Sequence, residues 1–309
     1  MKQNHSNKQK PYYVGIDLGG TSVHSGLVHA DGKIGRHTVI HPTEARKSKK
    51  TVLDNITRTI SDIQEKNGVN PELLRGIGIG SPGPLDLAKG KILDPINIPT
   101  LNYFNIRSYF AKLFSVKVEL NNDANCFALA EAWFGVGRKA RVTVGVTLGT
   151  GLGCGIVFGK ELYNGCTGTA AEVWNTPYRD STFEDCISIR GILRYAGNPD
   201  NLTPLDIANR ARQGNKKCRQ AWEEFGKHLG IFIASVVNLL DPDVIALGGS
   251  MSGAFDLFEK SMWESIKPNI NEFPRKHIQV LPSCLGTVSG ILGAAALVTP
   301  MVKKSVSRG

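Results

Sequence analysis

Twice in this chain a strand runs into a cluster of glycines and a second strand returns, and this limits the fold more than any other feature. Tyr12 to Asp17 reads as a buried strand, broken by Gly19-Gly20-Thr21 and resumed over Val23 to His29. Later, Val142 to Leu148 meets Gly149-Thr150-Gly151-Leu152-Gly153, and Gly155 to Phe158 returns. Glycine enters tight turns at little steric cost, so both stretches predict β-hairpins. Further strands are expected at Thr38-Val39-Ile40, Leu74 to Ile79 and Val244 to Leu247. Between them lie segments of helical period. Val52, Ile56, Ile60 and Ile63 mark a helix over 51–66, and Ile106 to Phe114 marks another. Phe225, Leu229, Phe232, Ile233, Val236 and Leu240 mark a long one over 222–240. The class is therefore α/β, with two β-rich openings and two lobes. The first lobe is expected over 12–119 and the second over 120–291. The small apolar run Val288 to Val298 predicts a closing helix that returns to the first lobe, which takes in a C-terminal helix over about 292–309. Asp31-Gly32 reads as a turn, and Ile92 to Thr100 as an irregular loop. The polar residues 1–11 read as a disordered tail.

Leu120-Asn121-Asn122-Asp123 ends the weakly alternating run Val116 to Leu120. It precedes Ala124, Phe127, Ala128 and Ala130 at helical spacing. An Asn-Asn-Asp corner between strand and helix puts short polar side chains at the carboxyl end of a sheet, where open α/β sheets bind ligands. Taken alone, Asp123 reads more readily as a helix N-cap than as a functional group.

The 309 residues suffice for two domains with ample core. No run approaches 18 apolar residues, so no membrane span is expected, and the amino terminus lacks the apolar stretch of a secretory signal. The net charge of +10 raises the question of nucleic acid. The excess is scattered, however, apart from Arg46-Lys47-Ser48-Lys49-Lys50 and Lys303-Lys304. With no helix-turn-helix pattern beside either cluster, both read as solvated faces. The charge also suits an anionic small-molecule substrate. The six cysteines, Cys126, Cys154, Cys166, Cys186, Cys218 and Cys284, include no C-x-x-C pair. That argues against a disulfide framework and for a reducing cytosol, so a cytoplasmic protein is expected.

Phosphate binding needs close backbone approach and free N–H donors, which glycine-rich turns supply. One such turn is only a hairpin in many proteins. Two of them, with a third glycine pair at Gly248-Gly249, resemble the phosphate and adenosine loops of the actin-like ATPase (ribonuclease H-like) fold, with an active site in the cleft between lobes. Five motifs then appear in order: Asp17-Leu18-Gly19-Gly20-Thr21, Gly80-Ser81-Pro82-Gly83-Pro84, Asn121-Asn122-Asp123-Ala124-Asn125, Leu148 to Gly153, and Leu240-Asp241-Pro242-Asp243 with Gly248-Gly249. Together they resemble the ROK family of repressors, open-reading-frame kinases and sugar kinases, bacterial glucokinases among them. The resemblance runs from about residue 12 to 298. The DNA-binding domain of the family's repressors has no room before Tyr12.

The resemblance implies that Asp123 is the general base taking a proton from a sugar hydroxyl as it attacks the γ-phosphate of ATP. Asp17 would hold hydrated Mg2+, with Gly19, Gly20 and Thr21 near the transferred phosphate. Gly149, Thr150 and Gly151 would line the phosphates, with amides supplied over Gly149 to Gly151, and Gly248 and Gly249 would pack on the nucleotide. The sugar would meet Gly83, Asn97, Asn122, Glu172, Asn175 and Glu184, short polar groups that suit a polyhydroxyl ligand.

The second lobe departs from the pattern. Ala170-Ala171-Glu172-Val173-Trp174-Asn175 stands where the family has Gly-Glu-x-Gly-His, so Asn175 replaces the histidine and Trp174 the glycine before it. In typical members that histidine touches the sugar and ligates a structural zinc with three cysteines. Those cysteines are missing here, and Thr176 to Phe183 is too short to hold them, so no structural zinc is expected. Cys186 reads as a core thiol. Ser22 stands where many members have lysine. The expected function is an ATP- and Mg2+-dependent hexose kinase, glucokinase-like, acting on the 6-hydroxyl. The alternatives are a kinase for fructose, allose or N-acetylmannosamine, or a catalytically silent sugar sensor. The expected partners are a small-molecule sugar, ATP and a second copy in a homodimer, with neither nucleic acid nor membrane.

Overall fold

The computed structural model describes residues 10–29, 32–197 and 201–300. The expectations for the tail over residues 1–9, for Asp31, for Lys303-Lys304 and for a closing helix beyond 300 fall outside these. The described chain forms two compact units. One is built from residues up to Cys126 and from Thr287 onward, the other from Phe127–Gly286.

The first unit holds β1 (Tyr12–Leu18), β2 (Ser22–His29), β3 (Ile34–Pro42), α1 (Lys49–Lys66), β4 (Leu74–Ser81), β5 (Leu85–Asp86), β6 (Lys91–Ile92), α2 (Ile106–Phe114) and β7 (Lys117–Asn122), then the start of α3 (Asp123–Trp133). Its sheet runs β3-β2-β1-β4-β7. The β1–β2 and β2–β3 pairs are antiparallel, while β1, β4 and β7 are parallel. Val52, Ile56, Ile60 and Ile63 of α1 are wholly buried, as their spacing predicts. Ser48 caps that helix, its side chain accepting from Thr51 N–H, which satisfies one orphan donor of the first turn.

The second unit continues with β8 (Val142–Leu148), β9 (Leu152–Phe158), β10 (Glu161–Leu162), β11 (Pro177–Tyr178), β12 (Ser181–Thr182), α4 (Phe183–Ile187), α5 (Ile189–Ala196), α6 (Pro204–Arg212), α7 (Lys216–Leu240), β13 (Val244–Gly248), α8 (Phe255–Ile266), α9 (Glu272–His277) and β14 (Gln279–Pro282). Its main sheet runs β10-β9-β8-β13-β14. The apolar face of α7 anchors the core. Trp222, Phe225, Leu229 and Ile233 are fully buried, and Trp222 stacks on Phe258 with ring centroids 6.0 Å apart. Side chains of this size each contribute about 1.5–3 kcal/mol when fully buried.

The last helix, α10 (Ser289–Ala296), belongs to the first unit and packs on β1 and β4. Gly26, Gly15 and Gly78 pair side by side across β2, β1 and β4. A Cβ on Gly15 would stand 1.9 Å from the Ile291 carbonyl oxygen, and one on Gly78 would stand 1.7 Å from that of Ala294. The glycine row makes a flat lane in which a small-residue helix lies directly on the sheet.

Two boundaries differ from the sequence reading. The unit division falls between Cys126 and Phe127, inside α3, and not at 119/120. The reason is that β7 completes the first sheet by pairing with β4, and Gly293 of α10 packs on Cys126. Asn121, Asn122 and Asp123 thus belong to the first unit. The closing helix spans Ser289–Ala296 and does not start at 292, because the packing lane begins earlier.

Candidate functional site

In the first unit the parallel strands end together. Asp17 pairs with Gly80 across β1 and β4, and Gly80 with Asn121 and Ser81 with Asn122 across β4 and β7. Asp17 and the Asn121-Asn122-Asp123 corner therefore stand along one sheet edge. Asn121 Oδ1 accepts from Asn122 N–H (2.8 Å) and from Asn125 Nδ2 (2.9 Å), which pins the corner to the first turn of α3. Asn122 Oδ1 and Asp123 Oδ1 both accept from Ala124 N–H, at 2.9 and 2.8 Å. Asp123 is thus the first residue of α3 with one carboxylate oxygen on a backbone amide. The Asp123 backbone N–H is a second amide that favours the carboxylate.

The two carboxylates are electrostatically linked. Burial pushes the Asp17 carboxyl above its ordinary value, the charge of Asp123 pushes the same way, and His24 partly offsets both. Asp123 remains exposed to solvent, yet the protein around it removes enough water to raise its carboxyl as well, against the opposing Ala124 N–H bond. A Cβ on Gly290 would stand 2.7 Å from Asp17 Oδ2, so the start of α10 backs this carboxylate closely. Gly290 escaped the sequence reading, where it was one small residue in an apolar run.

The remaining groups of this unit gather nearby. Gly19 N–H is used inside the β1–β2 turn, on Ser22 O at 2.9 Å, which leaves Gly20 and Thr21 as the amides of that turn without a bond among the described residues. Thr43 holds the turn from outside by donating Oγ1–H to Gly19 O at 2.6 Å. A Cβ on Gly20 would meet Asn97 O at 2.7 Å, which places the exposed Asn97 loop directly against the hairpin. Gly83 lies beside Asn122, whose Nδ2 would be 3.8 Å from an added Cβ. Ser22, at the lysine position of the resemblance, bonds His24 Nε2 at 2.8 Å.

The second unit carries its own cluster. In the β8–β9 hairpin Gly149 N–H donates to Gly151 O at 3.1 Å, so it is spent inside the turn. Gly149 N–H therefore drops out of the free amides expected over Gly149 to Gly151. Gly249 has φ 81°, and a Cβ there would lie 2.2 Å from Leu148 O, so Gly248-Gly249 packs straight onto the hairpin base. Glu184 is tied to the same turn, since its Oε2 accepts from Leu152 N–H at 3.0 Å. Its Oε1 takes Arg190 Nη2 at 2.6 Å, a partner not foreseen from sequence.

Glu172, Trp174 and Asn175 lie on one exposed loop. Trp174 Nε1–H donates to Glu172 Oε2 at 2.7 Å, and Trp174 O accepts from Glu184 N–H at 3.3 Å. Between Trp174 and Glu184 the chain makes a small hairpin, β11 with β12, closed by Phe183 N–H on Thr176 O at 3.2 Å. Tyr178 stacks on Phe183 at 4.4 Å, and its hydroxyl meets His228 Nδ1 at 3.1 Å. Among the described residues no three His, Cys, Asp or Glu side chains are gathered as a metal site, and all six cysteines are free. No helix there is long and apolar enough to cross a membrane.

The model of the ROK family matches residues 13–300. The chain belongs to the ROK family. It is 30% identical over 311 residues to the glucokinase of Thermotoga maritima, covering 92% of this chain and 96% of that protein. It is also 30% identical to the xylose repressor of Caldicellulosiruptor bescii, over 94% of this chain and 79% of the repressor. Among solved structures it is similar to a ROK family glucokinase from Streptomyces griseus in complex with glucose and AMPPNP. The TM-score is 0.77 at 27% identity, covering 93% of this chain and 99% of that one. This ROK chain therefore has the actin-like ATPase fold, and its two five-stranded sheets are those of that architecture.

Proposed function

We propose that this ROK protein is an ATP-dependent hexose kinase, moving the γ-phosphate of ATP to the 6-hydroxyl of glucose or a closely related hexose. The observation that carries the reading is the Asp17–Asp123 pair at the carboxyl ends of three parallel strands, with one Asp123 oxygen on Ala124 N–H. A raised carboxyl is the stronger base at neutral pH while still ionised, and phosphoryl transfer asks the protein mainly for positioning and charge. Asp123 takes the hydroxyl proton on its carboxylate. Asp17 would hold Mg2+ through water, and the fit is electrostatic, because two coupled carboxylates along one sheet edge, both raised above their ordinary values, favour a cation. The cation would supply charge neutralisation of the phosphates. Gly20, Thr21, Thr150 and Gly151 offer amides to the phosphates, and Gly248-Gly249 lets the nucleotide approach backbone. Asn97, Asn122, Glu172, Asn175 and Glu184 bind the sugar hydroxyls, and Gly83 keeps the turn beside Asn122 open. Support comes from the glucokinase of T. maritima and from the S. griseus structure with glucose and AMPPNP.

The testing experiment is sugar-dependent ADP release by purified protein with MgATP, over hexoses and N-acetylhexosamines. At least one hexose should give turnover well above the sugar-free rate. Binding without turnover for every sugar would favour the second reading, a sugar sensor, to which the xylose repressor relative lends weight.

A further inference from the structure

Trp174 is a large apolar side chain left 45% exposed, whereas Trp222 of the same unit is wholly buried. Burial does not hold it in place. Two hydrogen bonds do, one from the ring to the Glu172 carboxylate and one between the backbones of Trp174 and Glu184. The indole Nε1–H sits on Glu172 Oε2 at 2.7 Å, and the Trp174 carbonyl takes the Glu184 N–H at 3.3 Å. A bond from a neutral donor to a carboxylate is stronger than one between neutral groups, so the first fixes both the ring and the carboxylate. The ring itself packs against no other aromatic ring among those described.

The backbone beside it is held in an unfavourable conformation. Ala171, just before Glu172, has φ 66°. A residue with a Cβ avoids this left-handed region, and such strain persists where surrounding structure enforces it, often at ligand sites. Val173 N–H closes a tight turn on Ala171 O at 2.8 Å, and Thr176 N–H bonds Val173 O at 3.1 Å. Residues 171–176 are thus a pre-shaped turn that presents Glu172, an indole and Asn175 together.

A sugar ring has hydroxyls at its edge and an apolar C–H face. An indole fixed by its N–H beside a carboxylate matches both, with the flat ring for the face and the carboxylate for the edge. We propose that Trp174 is a sugar-binding residue that positions Glu172 through its indole N–H and stacks its exposed ring on the C–H face of the sugar. The inference rests on the sugar-kinase reading and adds to it a specificity residue in the second unit.

The test uses the full chain with Trp174→Phe, which keeps a ring and loses the donor, and Trp174→Ala, which loses both. Glucose, fructose, allose and N-acetylmannosamine serve as probes, with binding read by calorimetry and turnover by ADP release. Circular dichroism should be unchanged in both variants, since the side chain is exposed. For the sugars that wild type accepts, Trp174→Phe should weaken Kd and raise KM about three- to tenfold, and Trp174→Ala about ten- to a hundredfold. kcat and KM for ATP should stay within about twofold, a split that general loosening of the fold would not give. Sugar should alter the intrinsic tryptophan fluorescence of wild type and alter it much less in Trp174→Phe. Wild-type sugar binding with both variants unchanged in Kd, KM and fluorescence response would overturn the role of Trp174 alone. A wild type that binds none of the sugars by calorimetry would overturn the kinase reading and this inference with it.

Discussion

Asp123→Asn keeps the shape of the side chain and can keep its bond to Ala124 N–H, now accepted by the amide oxygen. The amide nitrogen then replaces the second carboxylate oxygen, so a donor stands where a base must take the hydroxyl proton. A positioned base contributes about 10²–10⁴-fold, equivalent to about 2.7–5.5 kcal/mol of barrier. kcat for the best hexose should therefore fall at least about a hundredfold while sugar Kd moves little. Stability should move the other way. Burial and the neighbouring charge raise the Asp17 carboxyl, and burial raises Asp123, so ionising the pair opposes folding above their raised values. That cost is absent below the ordinary carboxylate range, where folded and unfolded chains are both protonated. The melting temperature of Asp123→Asn should thus equal or exceed that of wild type at pH 7.5, and any advantage should shrink as pH falls through the raised values. In wild type the acid limb of kcat/KM should lie above pH 3.8, the usual aspartate value. ADP release and thermal melts across pH test both halves. A variant that keeps most of its sugar-dependent turnover would show Asp123 to be only the first residue of a helix.

Three further outcomes are expected. Purified protein should contain no stoichiometric zinc, and EDTA should leave its melting temperature unchanged, because the β11–β12 ladder and the Tyr178–Phe183 stack close the 174–184 segment; near-equimolar zinc by elemental analysis would contradict this. Asn175→Ala should raise KM for the sugar up to about tenfold with kcat little changed, the value of one hydrogen bond to a neutral group, and an unchanged KM for every accepted sugar would place Asn175 outside the site. Gly249→Ala forces a Cβ to within 2.2 Å of Leu148 O at a φ of 81°, so it should abolish ATP binding by calorimetry or prevent soluble expression; wild-type affinity for ATP would refute the packing argument.

Much of this architecture was legible because it rests on periodicity and on glycine. The α2 helix, Ile106–Phe114, and the strand Val142–Leu148 fall where the sequence pattern puts them. The Asn-Asn-Asp corner was legible as a strand-to-helix junction, but its unit was misjudged, since a pairing between β4 and β7 leaves no local signal in either strand. The short elements β11, β12 and β14 were missed because strands of two to four residues carry no period. Helix α6, Pro204–Arg212, went unread although Thr203 and Asp206 form a capping box around Pro204. In the candidate site, residue types were readable while bonding was not. Nothing in the sequence indicates that Gly149 N–H is consumed by its own turn, that Glu184 is shared between Leu152 and Arg190, or that Trp174 reaches back to Glu172. These contacts depend on chain direction in three dimensions.

The reaction proposed for this chain joins the γ-phosphate of ATP to the 6-hydroxyl of a hexose. Phosphorus–proton correlation NMR on wild-type protein with MgATP and glucose reads this directly. A phosphomonoester signal coupled to the two protons on carbon 6 should appear with stoichiometric ADP, and should grow at least about a hundredfold more slowly in Asp123→Asn. Free inorganic phosphate with unmodified glucose, or no consumption of ATP with any hexose tried, would contradict it.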